Sequence, residues 1–313
     1  MLSRRSFLHG TLGAGLALTQ TSQQMAAQTP QPARRRMIVD AQVHFWKADT
    51  PDRPWPPGRV AQLPEPFTPE KLVPLMDEAG VDRVVIVPPS WEGDRNDYAL
   101  EAAQKYAGRF GVMGRIPLTD PKAAALLPTW RQQRGMLGVR LTLTGPQGAW
   151  LTDGTADWFW PAAEKAGLPV YFLAPLRARD MGRIAERHPG LQLIADHMGL
   201  SVDIAKEGKR AEAIADTVSL AKYPNVSVKV SSAPAYSLEA YPFRDMTPFI
   251  KQCFEAFGPQ RSYWGTDMTN SFNKATYRQR ITHFTEELAF LSEDDKDWVM
   301  GRGILARLGW AQA

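Results

Sequence analysis

The sequence predicts a closed (β/α)8 TIM barrel formed by a single domain, and three observations carry that prediction. Val/Ile-rich runs of five to eight residues alternate to the end of the chain with helix-patterned segments of ten to eighteen. The count of each is eight, which is the count of a barrel. Protonatable residues cluster at the ends of the apolar runs, where a barrel builds its site.

The predicted strands are 37–44, 81–88, 110–116, 136–143, 168–174, 190–197, 225–231 and 261–267. The predicted helices lie near 68–79, 94–107, 121–133, 157–166, 177–188, 208–222, 244–257 and 274–290, with a last helical segment over 293–308 that covers the bottom or side of the barrel. Thr68-Pro69 and Asp120-Pro121 each place a capping residue before a proline suited to the first helical position. Gly80, Gly108 and Gly167 follow helices, where a left-handed residue closes the last turn. A doubly wound open sheet is the competing architecture, but the glycine-rich first turn it needs for a dinucleotide is missing. Between Lys47 and Phe67 the chain carries six prolines and Trp55, and a loop of that length reads as a stiff flap over the mouth.

With 313 residues, 44% of them hydrophobic, the chain can bury a full core. Its net charge of +4 arises from the start of the chain, where Arg4, Arg5, Arg34, Arg35 and Arg36 lie within the first 36 residues. The remainder is close to neutral, so neither nucleic acid nor a membrane surface is expected as a partner. Arg4-Arg5, followed by Phe7-Leu8 and the mildly apolar stretch 10–18, reads as a twin-arginine export signal. That stretch is too short to span a bilayer. Residues 1–35 are therefore assigned to signal and leader and 36–313 to the barrel domain. The expected location is periplasmic or secreted, with the twin-arginine export machinery as a partner and a homo-oligomer compatible with the sequence. The lone Cys253 cannot form an internal disulfide and reads as a buried thiol on a helix.

Strand alternation sorts the polar residues by face. Asp40, Gln42 and His44 are expected on the inner face of the first strand, Arg140 and Thr142 on that of the fourth, and Ser227, Lys229 and Ser231 on that of the seventh. His44 and His197 end strands and are candidate catalytic residues, although a satisfied core histidine is the commoner fate. Asp267 is a candidate general base, or else a helix cap. Arg140 and Lys229 are expected either to pair with Asp40 or to touch substrate, and Arg115, ending the third strand, is a weaker substrate contact. His188 and His283 are left out of the site.

Read together and in order, segments Val39–Trp46 (VDAQVHFW), Gly138–Leu141 (GVRL), Gly167–Val170 (GLPV), Ile194–Gly199 (IADHMG), Asn225–Ser231 (NVSVKVS) and Trp264–Asp267 (WGTD) resemble the amidohydrolase-related family. This is the branch of the amidohydrolase superfamily that holds sugar-lactone and pyrone-dicarboxylate lactonases and several decarboxylases. The resemblance covers about Met37 to Leu308. The family pattern has His-x-His on the first strand, histidines closing the fifth and sixth, and an aspartate closing the eighth. His44, His197 and Asp267 match; Gln42 replaces the first histidine, and Pro169–Leu173 offers none.

In metal-dependent members the ion is held by the first-strand pair, the fifth-strand histidine and the final aspartate. The resemblance therefore implies that no cofactor is tightly held here, with a divalent metal such as zinc, weakly held by His44, His197 and Asp267, as the alternative. What it implies for function is metal-independent hydrolysis of a lactone, a small-molecule substrate. Asp267 would take a proton from water, His44, His197 and Gln42 would donate to the carbonyl oxygen, and Arg140, Lys229 and Arg115 would hold a carboxylate or hydroxyls. A metal-dependent hydrolase or decarboxylase of a cyclic or aromatic acid is the second reading, and a catalytically silent binding protein the third.

Overall fold

The computed structural model describes residues 35–311. Eight parallel strands pair in sequence order: β1 Val39–Val43, β2 Arg83–Ile86, β3 Phe110–Gly114, β4 Met136–Thr142, β5 Pro169–Leu173, β6 Gln192–Ala195, β7 Val226–Lys229 and β8 Ser262–Tyr263. Backbone hydrogen bonds carry the seam between β8 and β1, from Ala41 N to Trp264 O (3.3 Å) and from Asp267 N to Gln42 O (2.8 Å). The architecture is a nearly closed (β/α)8 barrel, and every predicted strand is present in shortened form. The export signal and leader lie outside the described residues.

Alternation along the strands builds two cores. Val84, Ile86, Val139, Leu141, Val226 and Val228 face the helices, where Leu72, Met76 and Ile250 meet them. Val39, Ala41, Val85, Tyr171, Ile194 and Tyr263 form the inner cluster, closed by Ile304, Leu305 and Leu308 of the helix Gly303–Leu308. That helix seals the amino ends of the strands, since Arg307 hydrogen-bonds Gln192 and Ser227 at the starts of β6 and β7. The opposite rim is left for chemistry.

Several predicted helices depart from the α form: His283–Glu287 and Trp298–Arg302, within the last two, are π-helical, and another is changed throughout. Residues Pro121–Gln132 are a 3-10 segment rather than an α-helix. Pro128 inside it lacks the N–H that an α-helical turn needs, which weakens α-helical bonding there, although the α-helix Pro69–Ala79 tolerates Pro74. Asp120 caps its start by accepting from Lys122 N at 3.0 Å. After the helix Pro69–Ala79, Gly80 has φ +78°, the left-handed turn its position predicts.

The first strand departs from strict alternation. A register irregularity lies between Asp40 and Val43, so Ala41 joins the inner cluster while Gln42 also points into the barrel. Asp40 consequently turns toward the seam and the helix layer, not into the barrel as expected. Its carboxylate accepts from Thr266 N (2.8 Å), Gln42 N (3.1 Å), Thr266 Oγ1 and Tyr277 Oη (2.8 Å). Burial raises its pKa despite those bonds. Asp40 is thus no partner for Arg140 or Lys229, which pair elsewhere.

Candidate active site

At the carboxyl rim, His44 follows β1, His197 follows β6 and Asp267 follows β8, and the fold brings all three together. His44 Nε2 lies 3.0 Å from Asp267 Oδ1, and His197 Nε2 lies 3.6 Å from Asp267 Oδ2. Past β6, β7 and β8, three residues adopt left-handed backbone without being glycine: His197 (φ 52°), Ser232 (φ 61°) and Asp267 (φ 43°). Each such residue costs on the order of 1–3 kcal/mol, which the surrounding contacts must offset. Ser232 and Asn270 hydrogen-bond Asp267 Oδ2 at 3.2 and 3.3 Å.

Beneath these groups runs a chain of buried polar contacts. Asp196, fully buried, pairs with Lys229 Nζ at 2.8 Å and with Arg140 Nε at 3.1 Å. Lys229 also donates to Gln42 Oε1 and sits 3.9 Å from the centre of the Tyr171 ring. An ammonium has no acceptor, so the Gln42 oxygen must face it and the amide nitrogen must face the histidines. Gln42 Nε2 is 3.1 Å from His197 Nε2 and 3.3 Å from His44 Nε2. His197 therefore accepts at Nε2 and donates from Nδ1 to Ser231 Oγ at 2.7 Å, a neutral tautomer assigned from its partners. His44 Nδ1 donates to Val87 O at 2.6 Å, which turns Nε2 to Asp267.

The electrostatics follow from burial and pairing. Burial pushes His197 down to about 4, against the pull of Asp267 and Asp196. Lys229 falls to about 8 through burial, opposed by Asp196. For Asp196 and Asp267 burial favours the neutral acid, but Lys229 and Arg140 around the first, and His44, His197 and Lys229 around the second, overcome it and hold both carboxyls below their usual range.

The cavity above has a volume of about 160 Å3, and its wall includes His44, His197, Asp267, Arg115, Arg140, Thr142 and Tyr236. Gln62 from the proline-rich loop also lines it and hydrogen-bonds Thr269, so the Lys47–Phe67 segment does border the mouth. Arg140 and Arg115 stand on the wall. Lys229 and Gln42, both fully buried, do not line it; they lie under the floor, so a direct contact of Lys229 with substrate gives way to an ion pair with Asp196. His188 pairs with Glu164 at 2.8 Å, and His283 is buried between Phe243 and Phe284, both away from the site. Asp196 is the principal residue the sequence reading passed over. Its signal was an acid set directly between apolar Ala195 and His197.

The donor set does not suit a tightly held divalent ion. Gln42 directs an N–H group at His197 Nε2, and its one acceptor oxygen is taken by Lys229, whose charge opposes a second cation. Among the described residues, no group of three or more His, Cys, Asp or Glu side chains is arranged to hold a metal.

A model of the amidohydrolase family matches residues 39–302. An L-fucono-1,5-lactonase of Burkholderia ambifaria is 28% identical over 239 residues, covering 73% of this chain and 79% of the relative. A 4-sulfomuconolactone hydrolase of Hydrogenophaga intermedia is 25% identical over 237 residues, 71% of this chain and 72% of the relative. Among solved structures, an amidohydrolase from Burkholderia multivorans with bound HEPES superposes with a TM-score of 0.73 at 23% identity, covering 87% of this chain and 99% of the other.

Proposed function

The chain belongs to the amidohydrolase family and is a lactonase-like hydrolase, and we propose that it opens a lactone ring by metal-independent attack of water. The observation that carries this reading is the meeting of Asp267 with His44 at 3.0 Å on the cavity wall, above an amide where the family has a metal-binding histidine. The relatives named for lactone hydrolysis support the bond type.

In this mechanism Asp267 accepts a proton as water attacks the lactone carbonyl. The carbon passes to a tetrahedral intermediate whose oxygen carries the charge. His44, donating from Nε2, and the Arg140 guanidinium stabilise that oxygen. Collapse breaks the ring C–O bond, and the alkoxide takes back the proton to give a hydroxy acid. Gln42 acts one layer down, keeping the hydrogens of His197 on the cavity wall in one arrangement. An ester carbonyl needs less electrophilic help than an amide, which is why fixed donors can replace an ion. Export by the twin-arginine route, resting on Arg4 and Arg5, is part of the proposal.

Asp267→Asn tests it. On a panel of sugar and pyrone lactones, kcat is expected to fall by about 100-fold or more while circular dichroism stays unchanged. Hydrolysis by the variant at near the wild-type rate would remove Asp267 from the mechanism.

A further inference from the structure

Arg115 is a buried cation that the Asp94 carboxylate attracts without forming an ion pair. Only 7% of it is exposed, and its hydrogen bonds run from Nε to Pro88 O (2.6 Å) and from Nη2 to Thr142 Oγ1 (3.1 Å). Among the described residues no carboxylate forms an ion pair with it, and the nearby Arg140 is already paired with Asp196. Burial, and then repulsion from Arg140, lowers its pKa to about 9, against the pull of Asp94 and Asp196. Keeping an unpaired charge out of water is costly, and the cost falls when an anion arrives.

Its position says where that anion would come from. Arg115, Arg140, Thr142 and Ser90 form a wall common to the 160 Å3 cavity and to a second cavity of about 310 Å3 farther out. The outer one is lined by Arg59, Asp94, Gln147 and Trp150 together with apolar Ile116 and Leu118. The inner space accommodates one lactone ring; the outer space is about twice as large.

We propose that the substrate is an anionic lactone: the ring occupies the inner cavity, a carboxylate docks on Arg115 at the neck, and the arm bearing it extends into the outer cavity beside Trp150. A neutral sugar lactone would leave Arg115 without an ion pair. This rests on the lactonase reading of the same site and narrows it to one charge class. Guanidinium and carboxylate match as paired donors and acceptors, so the preference has a geometric as well as a Coulombic basis.

The test uses a δ-lactone with a carboxylate-bearing arm and its uncharged carboxamide counterpart, assayed with the wild type, Arg115→Gln and Arg115→Lys. The wild type should favour the carboxylate by about 30-fold or more in kcat/KM, and Arg115→Gln should bring the ratio down to about 3 or less, with Arg115→Lys between them. Equal use of the two lactones by the wild type would overturn the proposal, as would an equal loss on both in Arg115→Gln. Calorimetric titration of the wild type with the two ring-opened products separates this idea from the reaction it rests on. If neither lactone is hydrolysed but the carboxylate product binds more tightly than the amide, the anion site stands and the lactonase reading falls. If neither is hydrolysed and the two products bind alike or not at all, both fall.

Discussion

The Lys229 ammonium sits 2.8 Å from the Asp196 carboxylate, and both side chains are wholly buried beneath the histidines. Because Lys229 also holds the Gln42 oxygen, this pair decides which way the amide points and thereby which nitrogen of His197 carries hydrogen. It is a positioning pair, acting on the reaction through Gln42.

Lys229→Met should therefore act on kcat rather than on KM. With the ammonium gone the amide is free to rotate, and kcat is expected to fall about 10-fold or more, with KM nearly unchanged since Lys229 is not on the cavity wall. Asp196 would keep only Arg140 as a partner, so denaturant unfolding should show a loss of about 3 kcal/mol. A rise in KM with kcat preserved would instead make Lys229 a substrate contact.

Acid should weaken the fold in a defined window. Burial holds His197 and His283 neutral down to about pH 4 in the folded chain, whereas the unfolded chain binds those protons near 6.5. Between these values the unfolded state carries more protons, so stability declines as pH falls from 6.5 to 4, and these two rings add no further loss below that. Each contributes at most about 3 kcal/mol to the decline. Unfolding midpoints followed across pH 4 to 7 in His197→Gln and His283→Gln should show a shallower slope than the wild type; an unchanged slope would place the titration in other groups.

Chelation is the remaining check on the donor set. Protein prepared without chelator and then dialysed against EDTA should keep its lactonase rate to within about twofold, and elemental analysis should find well under one equivalent of zinc or manganese per chain. Activity lost on dialysis and restored by zinc would show that His44, His197 and Asp267 hold an ion despite Gln42.

The eight strands and the rim positions of His44, His197 and Asp267 were legible because apolar periodicity is a local property, and strand ends follow from it. The partner of the buried cations was not. Strict alternation points Asp40 inward, but the irregularity in β1 turns it to Thr266 and Tyr277, and the inward carboxylate is Asp196. Nor did the residue types of His197, Ser232 and Asp267 betray their left-handed backbone, which glycine or asparagine would ordinarily signal. An internal proline was no guide either, since Pro74 lies within the α-helix Pro69–Ala79 while Pro128 lies within a 3-10 segment.

By itself, then, the amino-acid order determined the barrel, its count of elements and which side chains end at the reactive rim, since hydrogen bonding and burial period act over a few residues. Tertiary packing settled which acid faces which base, that Lys229 and Gln42 work from below the floor, and that Arg115 forms no ion pair among the described residues. Those outcomes depend on where strands far apart in sequence come to rest beside one another, and on a single irregularity in β1 that reverses a side chain without altering any local pattern.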